Sequence, residues 1–148
     1  MQARAQAQPP VTGDLAARAA YADSEREVRV PPTALDEWTP AFLAQLTVPD
    51  AQLVHARTTE GEQRTYLFAP GRESFAEFAP GPRNAAGWTV RQGGPVRLWD
   101  QVEEALLAWR DAGSPGIDAV RLRVTEAAHH YWLDGASAPP LRWEHALR

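Results

Sequence analysis

The sequence predicts an α+β fold, with a mostly antiparallel sheet and two main helices in a single domain. Stretches that alternate apolar and polar residues, as half-buried strands do, occur at 53–57, 64–68, 74–78, 88–92, 120–124 and 130–133. Short turns separate most neighbouring stretches, and short turns join antiparallel strands. Two segments, from residue 33 to 48 and from 96 to 112, instead carry apolar residues at helical spacing. This order of elements predicts the α+β class.

The composition excludes several functions. The chain has 148 residues and a formal net charge of −4, with its arginines scattered, which is a poor basis for binding nucleic acid. It contains no cysteine, which excludes disulfides, thiolate metal sites and cysteine nucleophiles. It also contains no lysine, which excludes a P-loop lysine and a Schiff-base lysine. No signal sequence and no apolar run of about 20 residues is present, so we predict a cytoplasmic protein without membrane contact.

The first elements follow a segment of low complexity. Residues 1–27 are predicted to form a flexible N-terminal arm, and residues 28–148 the α+β domain. Within the arm, residues 14–23 are rich in alanine and have the composition of a short helix capped by Asp14. Val28 and Val30 alternate with Arg29, which predicts a short extended segment that ends at Pro31.

The first main helix has two candidate starts. Thr33 is one N-cap, with acidic residues in the following turn. The alternative is Thr39 as N-cap with Pro40 at the first helical position, where proline is favoured. The predicted helix is followed by four strands, the first two joined by a hairpin at 59–62, and turns containing proline and glycine separate the others.

The second helix, from about Val96 to Ala112, is the clearest element. Gly94 and Pro95 are predicted at the cap and the first helical position, and Gly113 as a left-handed C-terminal cap. The predicted buried stripe consists of Trp99, Val102, Leu106 and Trp109. The predicted solvated face consists of Asp100, Glu103, Glu104 and Arg110. Two strands follow, at 120–124 and 130–133, and then an irregular tail from which Trp143 folds back onto the core.

One part of the sequence resembles a known protein region. The run Arg91-Gln92-Gly93-Gly94-Pro95-Val96-Arg97-Leu98-Trp99-Asp100-Gln101-Val102-Glu103, with the later 112–116, 122–125 and 131–134, carries the resemblance. It resembles the C-terminal region that follows the catalytic domain in protein-L-isoaspartate methyltransferase-like enzymes, which occur beside ATP-grasp peptide maturases. Val96 departs from the pattern, which usually has a basic residue there, and the methyltransferase domain itself is absent from this chain.

The resemblance implies an accessory domain without methyl-transfer chemistry of its own. A site for S-adenosylmethionine needs a glycine-rich turn between a strand and a helix, whereas Gly93-Gly94 is followed by Pro95 and lacks a third glycine. We therefore expect no cofactor and no catalytic residue in the isolated chain. The implied partners are a methyltransferase, an ATP-grasp ligase or a precursor peptide. The alternative is a fragment of a carboxyl methyltransferase whose catalytic domain lies outside this chain.

Arginine and tryptophan residues form the candidate binding site. Arg121 and Arg123 share one face of a predicted strand, opposite its apolar residues. If Arg91 lies on a neighbouring strand, the sheet presents a basic, partly aromatic face suited to an acidic peptide or an acidic partner surface. The candidate binding residues are Arg91, Arg97, Arg121, Arg123, Trp88 and Trp132. The competing interpretation is an ordinary solvated sheet face.

Three further groups of residues are candidates for a metal site, a hydrolase site and an acid–base pair. His129 and His130 are neighbours on a predicted strand and point to opposite faces, so we expect no metal site there. No serine lies in a nucleophile elbow, and a hydrolase would need a concave site at His129 or His145. Glu103 and Glu104 are interpreted as a solvated helix face rather than as an acid–base pair.

Overall fold

The computed structural model describes residues 22–57, 60–81 and 87–147. Within these ranges the chain forms two α-helices and two antiparallel sheets, which confirms the α+β prediction. The helices are α1 (Trp38–Thr47) and α2 (Leu98–Asp111). The strands are β1 (Ser24–Glu27), β2 (Gln52–Arg57), β3 (Gln63–Ala69), β4 (Ser74–Pro80), β5 (Trp88–Gly93), β6 (Val120–Val124), β7 (Ala128–Leu133) and β8 (Arg142–Ala146).

The chain divides by its contacts into two compact units. The first comprises the described residues up to Pro32 together with Asp50–Asp100, and it contains a sheet of order β1-β5-β4-β3-β2. The second comprises Thr33–Pro49 and the residues from Gln101 onward, and it contains α1 and the meander β6-β7-β8. Helix α2 contributes its first three residues to the first unit and the remainder to the second.

The core of the first unit centres on an aromatic pair. The Phe78 ring on β4 and the Trp99 indole meet edge to face, with their centroids 4.8 Å apart and an interplanar angle of 83°. Both side chains are fully buried, as is Val90 on the neighbouring strand. An edge-to-face pair of this kind is worth roughly 1 kcal/mol beyond the burial of its area. The first turn of α2 is thereby fixed against β4.

In the second unit, two side chains of β8 hold the C-terminal turn of α1. The Trp143 indole nitrogen donates to the Thr47 hydroxyl at 3.1 Å. Nε2 of His145 lies 2.8 Å from the Leu46 carbonyl oxygen, so this ring nitrogen carries a proton and donates it. The last carbonyls of a helix have no partner within the helix, and His145 supplies one for Leu46, whereas Trp143 binds a side-chain hydroxyl of the same turn. Trp143 thus folds back as predicted, but on a strand rather than in an irregular tail.

Helix α2 buries the predicted stripe, together with Leu98 and Ala105, which were predicted to widen it, and with Glu103. Trp99, Val102, Leu106 and Trp109 are all less than 9 % exposed. Glu103 is also fully buried, so its prediction as part of the solvated face is wrong. The reason is geometric: Glu103 is four residues after Trp99 and three before Leu106, which places it on the same side of the helix.

Neither helix begins at a predicted cap: α1 begins later than the Thr33 cap predicts and earlier than the Thr39 cap predicts, and α2 begins later than predicted. α1 starts at Trp38 with Glu37 as N-cap, after a 3₁₀ turn at Pro32–Asp36, so neither threonine caps it. Pro40 is the third helical residue, where a missing N–H costs no helical hydrogen bond. α2 starts at Leu98, because Gly94 adopts φ +94° and continues the loop instead of capping the helix. Gly113 has φ +95° after α2, as predicted.

The N-terminal strand lies in a segment assigned to the flexible arm. Ser24 to Glu27 pair with β5, and the Val28 N–H donates to the Trp88 carbonyl at 3.0 Å. The extended segment predicted at Val28 therefore comes directly after a strand, β1, that ends at Glu27. The alanine-rich helix predicted at 14–23 falls almost entirely outside the described residues. Neither α-helix in the described part of the chain is long and apolar enough to cross a membrane.

Candidate binding face

One face of the three-stranded sheet gathers basic and aromatic side chains. The register aligns Arg121 with Trp132 and Trp132 with Arg142, in one row across three strands. A second row aligns Arg123 with His130 and His130 with Glu144. Directly opposed residues of antiparallel strands lie on the same face. We name these six residues the arginine face: Arg121, Arg123, His130, Trp132, Arg142 and Glu144.

The alternation along β8 determines which side of the sheet is open. Trp143 and His145 are half-buried and bind α1, whereas Arg142 and Glu144 between them are exposed. Successive strand residues point to opposite sides, so fixing one pair against the helix directs the other pair outward. The arginine face is therefore the side of the sheet turned away from α1.

Two arginines on this face are held in place by neighbouring groups. The Arg142 guanidinium carbon lies 5.1 Å from the centroid of the Trp132 ring, and Nη1 donates to the Ala136 carbonyl at 3.2 Å. Arg121 Nη2 lies 3.0 Å from a carboxylate oxygen of Asp134. A guanidinium stacked on an indole keeps its edge N–H groups available to other acceptors. Both side chains are thus oriented in advance.

Arg123 differs from these two. Within the described residues, no carboxylate lies within ion-pair distance of Arg123. Its side chain borders an open depression of about 510 Å³. The lining consists of Arg123, Thr125, His130, Trp132 and Arg142. Three guanidinium groups therefore face two carboxylates, those of Asp134 and Glu144, and the excess charge is positive.

The structure brings together only half of the residues predicted for this site. Arg121, Arg123 and Trp132 lie on adjacent strands as predicted. Arg91 does not lie on a neighbouring strand: it belongs to β5, in the five-stranded sheet of the first unit, as does Trp88. Arg97 lies in the loop before α2, also in the first unit.

Arg91 belongs to a row of polar side chains that crosses four strands. The Tyr66 hydroxyl donates to Glu77 Oε2 at 3.0 Å, and Arg91 Nη1 lies 3.5 Å from Glu77 Oε1. Arg91 Nε is 3.7 Å from a carboxylate oxygen of Glu25 on β1. Burial, with the nearby Glu77 charge, raises the pKa of Tyr66 to about 12. The guanidinium thus compensates a buried carboxylate, which is a structural role.

Arg97 and Trp88 also have local roles. Arg97 forms an ion pair with Asp23, and this hydrogen bond lowers the pKa of the Asp23 carboxyl below its ordinary value. Trp88 is half-buried at the start of β5, opposite Pro80. Neither residue contributes to the arginine face.

Sequence reasoning missed His130 and Arg142 as members of the site. The segment Arg142-Trp143-Glu144-His145 alternates polar and aromatic residues, which is a strand signal. The preceding Pro139-Pro140 led to an irregular tail being predicted instead. Recognising β8 would have placed a third arginine beside Trp132.

The histidines near this site follow the predicted strand geometry. His130 lies on the arginine face, opposite Glu144, whereas His129 pairs with His145 on the other face. His145 is bonded to the Leu46 carbonyl, which accounts for its position by packing alone. In the described ranges, no three residues of metal-binding type are grouped so as to hold an ion.

Comparison with protein-family models, with curated proteins and with solved structures finds no match for this chain.

Proposed function

We propose that this chain is a non-catalytic recognition domain whose arginine face binds an acidic segment of a peptide or of a partner protein. The observation that supports it most directly is the grouping of Arg121, Arg123 and Arg142 around the half-exposed indole of Trp132. Guanidinium groups bind carboxylates through two parallel hydrogen bonds, and such charge-assisted bonds are about twice as strong as neutral ones.

The arrangement suits binding more than fold stability. Arg123 has no carboxylate partner in the described part of the chain, so it gains one only from a ligand. Arg142 is already stacked on Trp132, and holding a long side chain in place beforehand reduces the entropy lost on binding. Trp132 offers an aromatic surface between the charges, and tryptophan and arginine are the residue types enriched at binding hot spots.

The biological setting that we propose is ribosomal peptide maturation. It is supported by the resemblance of residues 91–103 and 131–134 to the region that follows the catalytic domain in methyltransferases of peptide maturation. In that setting the domain recruits an acidic part of a precursor peptide, or of a methyltransferase or ATP-grasp ligase, and raises the local concentration of substrate at the catalytic partner.

The test is binding of a fluorescein-labelled octaglutamate peptide, followed by fluorescence anisotropy. Charge reversal of both Arg123 and Arg142 to glutamate is expected to weaken binding by tenfold or more, about the loss of one hydrogen bond to a charged group. The matched control is the double variant Arg57→Glu and Arg110→Glu, which changes the net charge by the same amount at two exposed arginines outside the arginine face, one on β2 and one on α2. We expect this variant to bind within twofold of the unmodified protein.

Two outcomes would overturn the proposal. One is equal binding of octaglutamate by the double variant and by the unmodified protein. The other is tighter binding of a labelled single-stranded oligonucleotide than of the acidic peptide. The arginines would then bind a phosphate backbone, and bases would stack on the aromatic side chain. Circular dichroism of each variant establishes that the fold is retained.

A further inference from the structure

Strand β6 forms an edge of its sheet with unpaired backbone groups. Its one strand neighbour in the described part of the chain is β7. Just before β6, the Ala119 carbonyl accepts the Asp134 N–H at 2.8 Å, and just after it, the Thr125 N–H donates to Ala128 at 2.9 Å. Backbone direction alternates along an antiparallel strand, so Arg121 and Arg123 also face β7. The backbone groups of Val120, Leu122 and Val124 therefore point away from it.

The side chains of this edge differ between its two sides. Leu122 is 55 % exposed and Val124 59 % exposed, which is unusual for apolar residues of a strand. Arg121 and Arg123 project from the other side, onto the arginine face. A strand added to this edge would thus meet apolar side chains on one side and guanidinium groups on the other.

We propose that β6 binds its ligand by antiparallel strand addition, and that the ligand is an extended peptide in which acidic and apolar residues alternate. This inference rests on the proposed function and specifies its ligand. The acidic residues lie opposite Arg121 and Arg123, and the apolar residues lie opposite Leu122 and Val124. Main-chain hydrogen bonds supply affinity in strand addition, and the alternating side chains supply specificity.

A second copy of this chain fits the edge poorly. Antiparallel pairing of two β6 strands must align their outward-facing residues, which are the even-numbered ones. A two-fold register centred on Arg121, Leu122 or Arg123 sets guanidinium groups directly opposite one another, which is destabilising. The first 21 residues of the chain also fit poorly, since they contain two arginines and one aspartate. Charge complementarity thus favours an acidic ligand.

The register predicts which peptide amides matter. A peptide residue opposite Leu122 forms a hydrogen-bonded pair, because the Leu122 N–H and C=O both point outward. Peptide residues opposite Arg121 and Arg123 form non-hydrogen-bonded pairs, whose own N–H groups point away from β6. The backbone N–H groups of the peptide's apolar residues are therefore needed for binding to β6, and those of its acidic residues are not.

The experiment compares peptides of equal composition. The alternating peptide (Glu-Val)₄ is expected to bind tenfold or more tightly than the block peptide Glu₄Val₄. N-methylation of its central valines should reduce binding to the level of the block peptide, and N-methylation of its central glutamates should leave it within twofold. Equal affinity of the alternating and block peptides, or any other dependence on N-methylation, would overturn strand addition in this register.

A protein variant separates this inference from the proposed function. Leu122→Thr places a β-branched residue, a type that strands favour, at this position and removes the apolar isobutyl group. It should weaken binding of (Glu-Val)₄ several-fold and leave octaglutamate binding unchanged. Leu53→Thr, at a partly exposed leucine on β2, is the matched control and should change neither.

The outcomes are distinguishable. If octaglutamate binds at the arginine face but alternation and amide methylation have no effect, the proposed function stands and strand addition fails. If no acidic peptide binds, both fail. Sedimentation velocity without peptide should show a monomer, and a dimer that Leu122→Thr dissociates would assign the edge to a second copy and overturn the inference.

Discussion

The side-chain amide of Gln92 on β5 accepts the backbone N–H of Trp99 at 2.8 Å. The same amide donates through Nε2 to Asp100 Oδ1 at 2.9 Å. Gln92 is only 2 % exposed and its bond to the Trp99 N–H is buried, whereas its bond to Asp100 ends on a carboxylate that is partly exposed. The first N–H groups of a helix lack partners within the helix, and a residue of the preceding strand supplies one here. Gln92 thus acts as a cap at a distance of seven residues, and it joins α2 to the sheet.

Replacement of Gln92 by methionine should lower the free energy of unfolding by about 2 kcal/mol. Methionine keeps the size of the side chain but leaves a buried N–H without its acceptor, which costs about 1–3 kcal/mol. Urea unfolding measures the change. Gln101→Met, at an exposed position of α2, is the control and should stay within about 0.5 kcal/mol of the unmodified protein. Equal stability of the two variants would show that the Gln92 amide does not stabilise the helix start.

Gly94 should tolerate alanine much less well than Gly113, although both have positive φ. A Cβ at Gly94 would collide with the Glu73 carbonyl oxygen and lie 2.6 Å from the Ser74 Cα, whereas a Cβ at Gly113 would have no atom of the described residues within 4 Å, apart from its chain neighbours. The left-handed backbone alone costs an alanine about 1–2 kcal/mol, which is the loss expected for Gly113→Ala. Gly94→Ala should lose clearly more in the same urea assay. Similar losses would mean that the loop moves away from Ser74 at little cost.

Asp50 should contribute to stability at neutral pH and lose this contribution in acid. Arg72 donates to Asp50 through Nε at 2.7 Å and Nη2 at 2.5 Å, and these hydrogen bonds lower the pKa of Asp50 below its ordinary value. The folded state therefore binds the proton less readily than the unfolded state. The contribution is fully present above about pH 4 and is lost as the pH falls through the lowered pKa.

Asp50→Asn measures this contribution directly. At pH 7 the variant should be less stable by up to about 1 kcal/mol, because the pair is partly exposed. The difference should shrink below about pH 4 and disappear in stronger acid. A difference that stays constant from pH 7 into acid would contradict the assignment of the lowered pKa to the Arg72 pair.

Tyr66 should have the opposite pH dependence, in the alkaline range. Burial, with the charge of Glu77, raises the pKa of Tyr66 to about 12 in the folded protein. The stabilisation is therefore fully present below about pH 10 and is lost as the pH rises toward 12. Tyr66→Phe should flatten the alkaline loss of stability. The difference in ultraviolet absorbance between the two proteins should titrate near pH 12, and a midpoint near 10 would show that this phenol is exposed to solvent.

Periodic patterns in the sequence were sufficient to predict both helices and six of the eight described strands, but not β1 and β8. Trp99, Leu106 and Trp109 recur at helical spacing, and the structure buries all three on one side of α2. Strands β3 and β4 include the predicted residues and pair through a short connection, although residues 74–78 of β4 are buried on both faces and not half-buried as their alternation predicts. These features depend on local periodicity, which a single sequence contains in full.

The missed features depend on contacts between distant residues. The start of α2 depends on Gln92. The burial of Glu103 is an exception, because it follows from local helical spacing. It was missed because a charged residue was assigned to the solvated face of the helix. The arginine face could be predicted only in part, because Arg142 lies 19 residues after Arg123 on β8. This strand was not predicted, since Pro139 and Pro140 directly before it indicate irregular structure. Arg91 is an error of the opposite kind. It was predicted on the same sheet face as Arg121 and Arg123, but its strand belongs to the five-stranded sheet.

The segment that carries the family resemblance has structural roles at most of its positions. Gln92 caps α2, Gly94 passes close to Ser74, Arg97 binds Asp23 and Trp99 fills the core. A pattern with these roles preserves a fold rather than a reaction. The family assignment itself stays a prediction.

The position of β1 has a consequence for the synthesis of the protein. Ser24 pairs with Gln92 and Glu27 with Thr89, so β1, which leaves the ribosome before the other described strands, pairs with residues made more than 60 positions later. Strands β2, β3 and β4 follow one another along the chain and pair with their immediate neighbours as they emerge. Contacts of long sequence separation form more slowly than local ones. Until β5 has been synthesised, β1 lacks its strand partner and stays in contact with water. Two of its four residues are glutamates and one is an arginine, and charged side chains are well solvated.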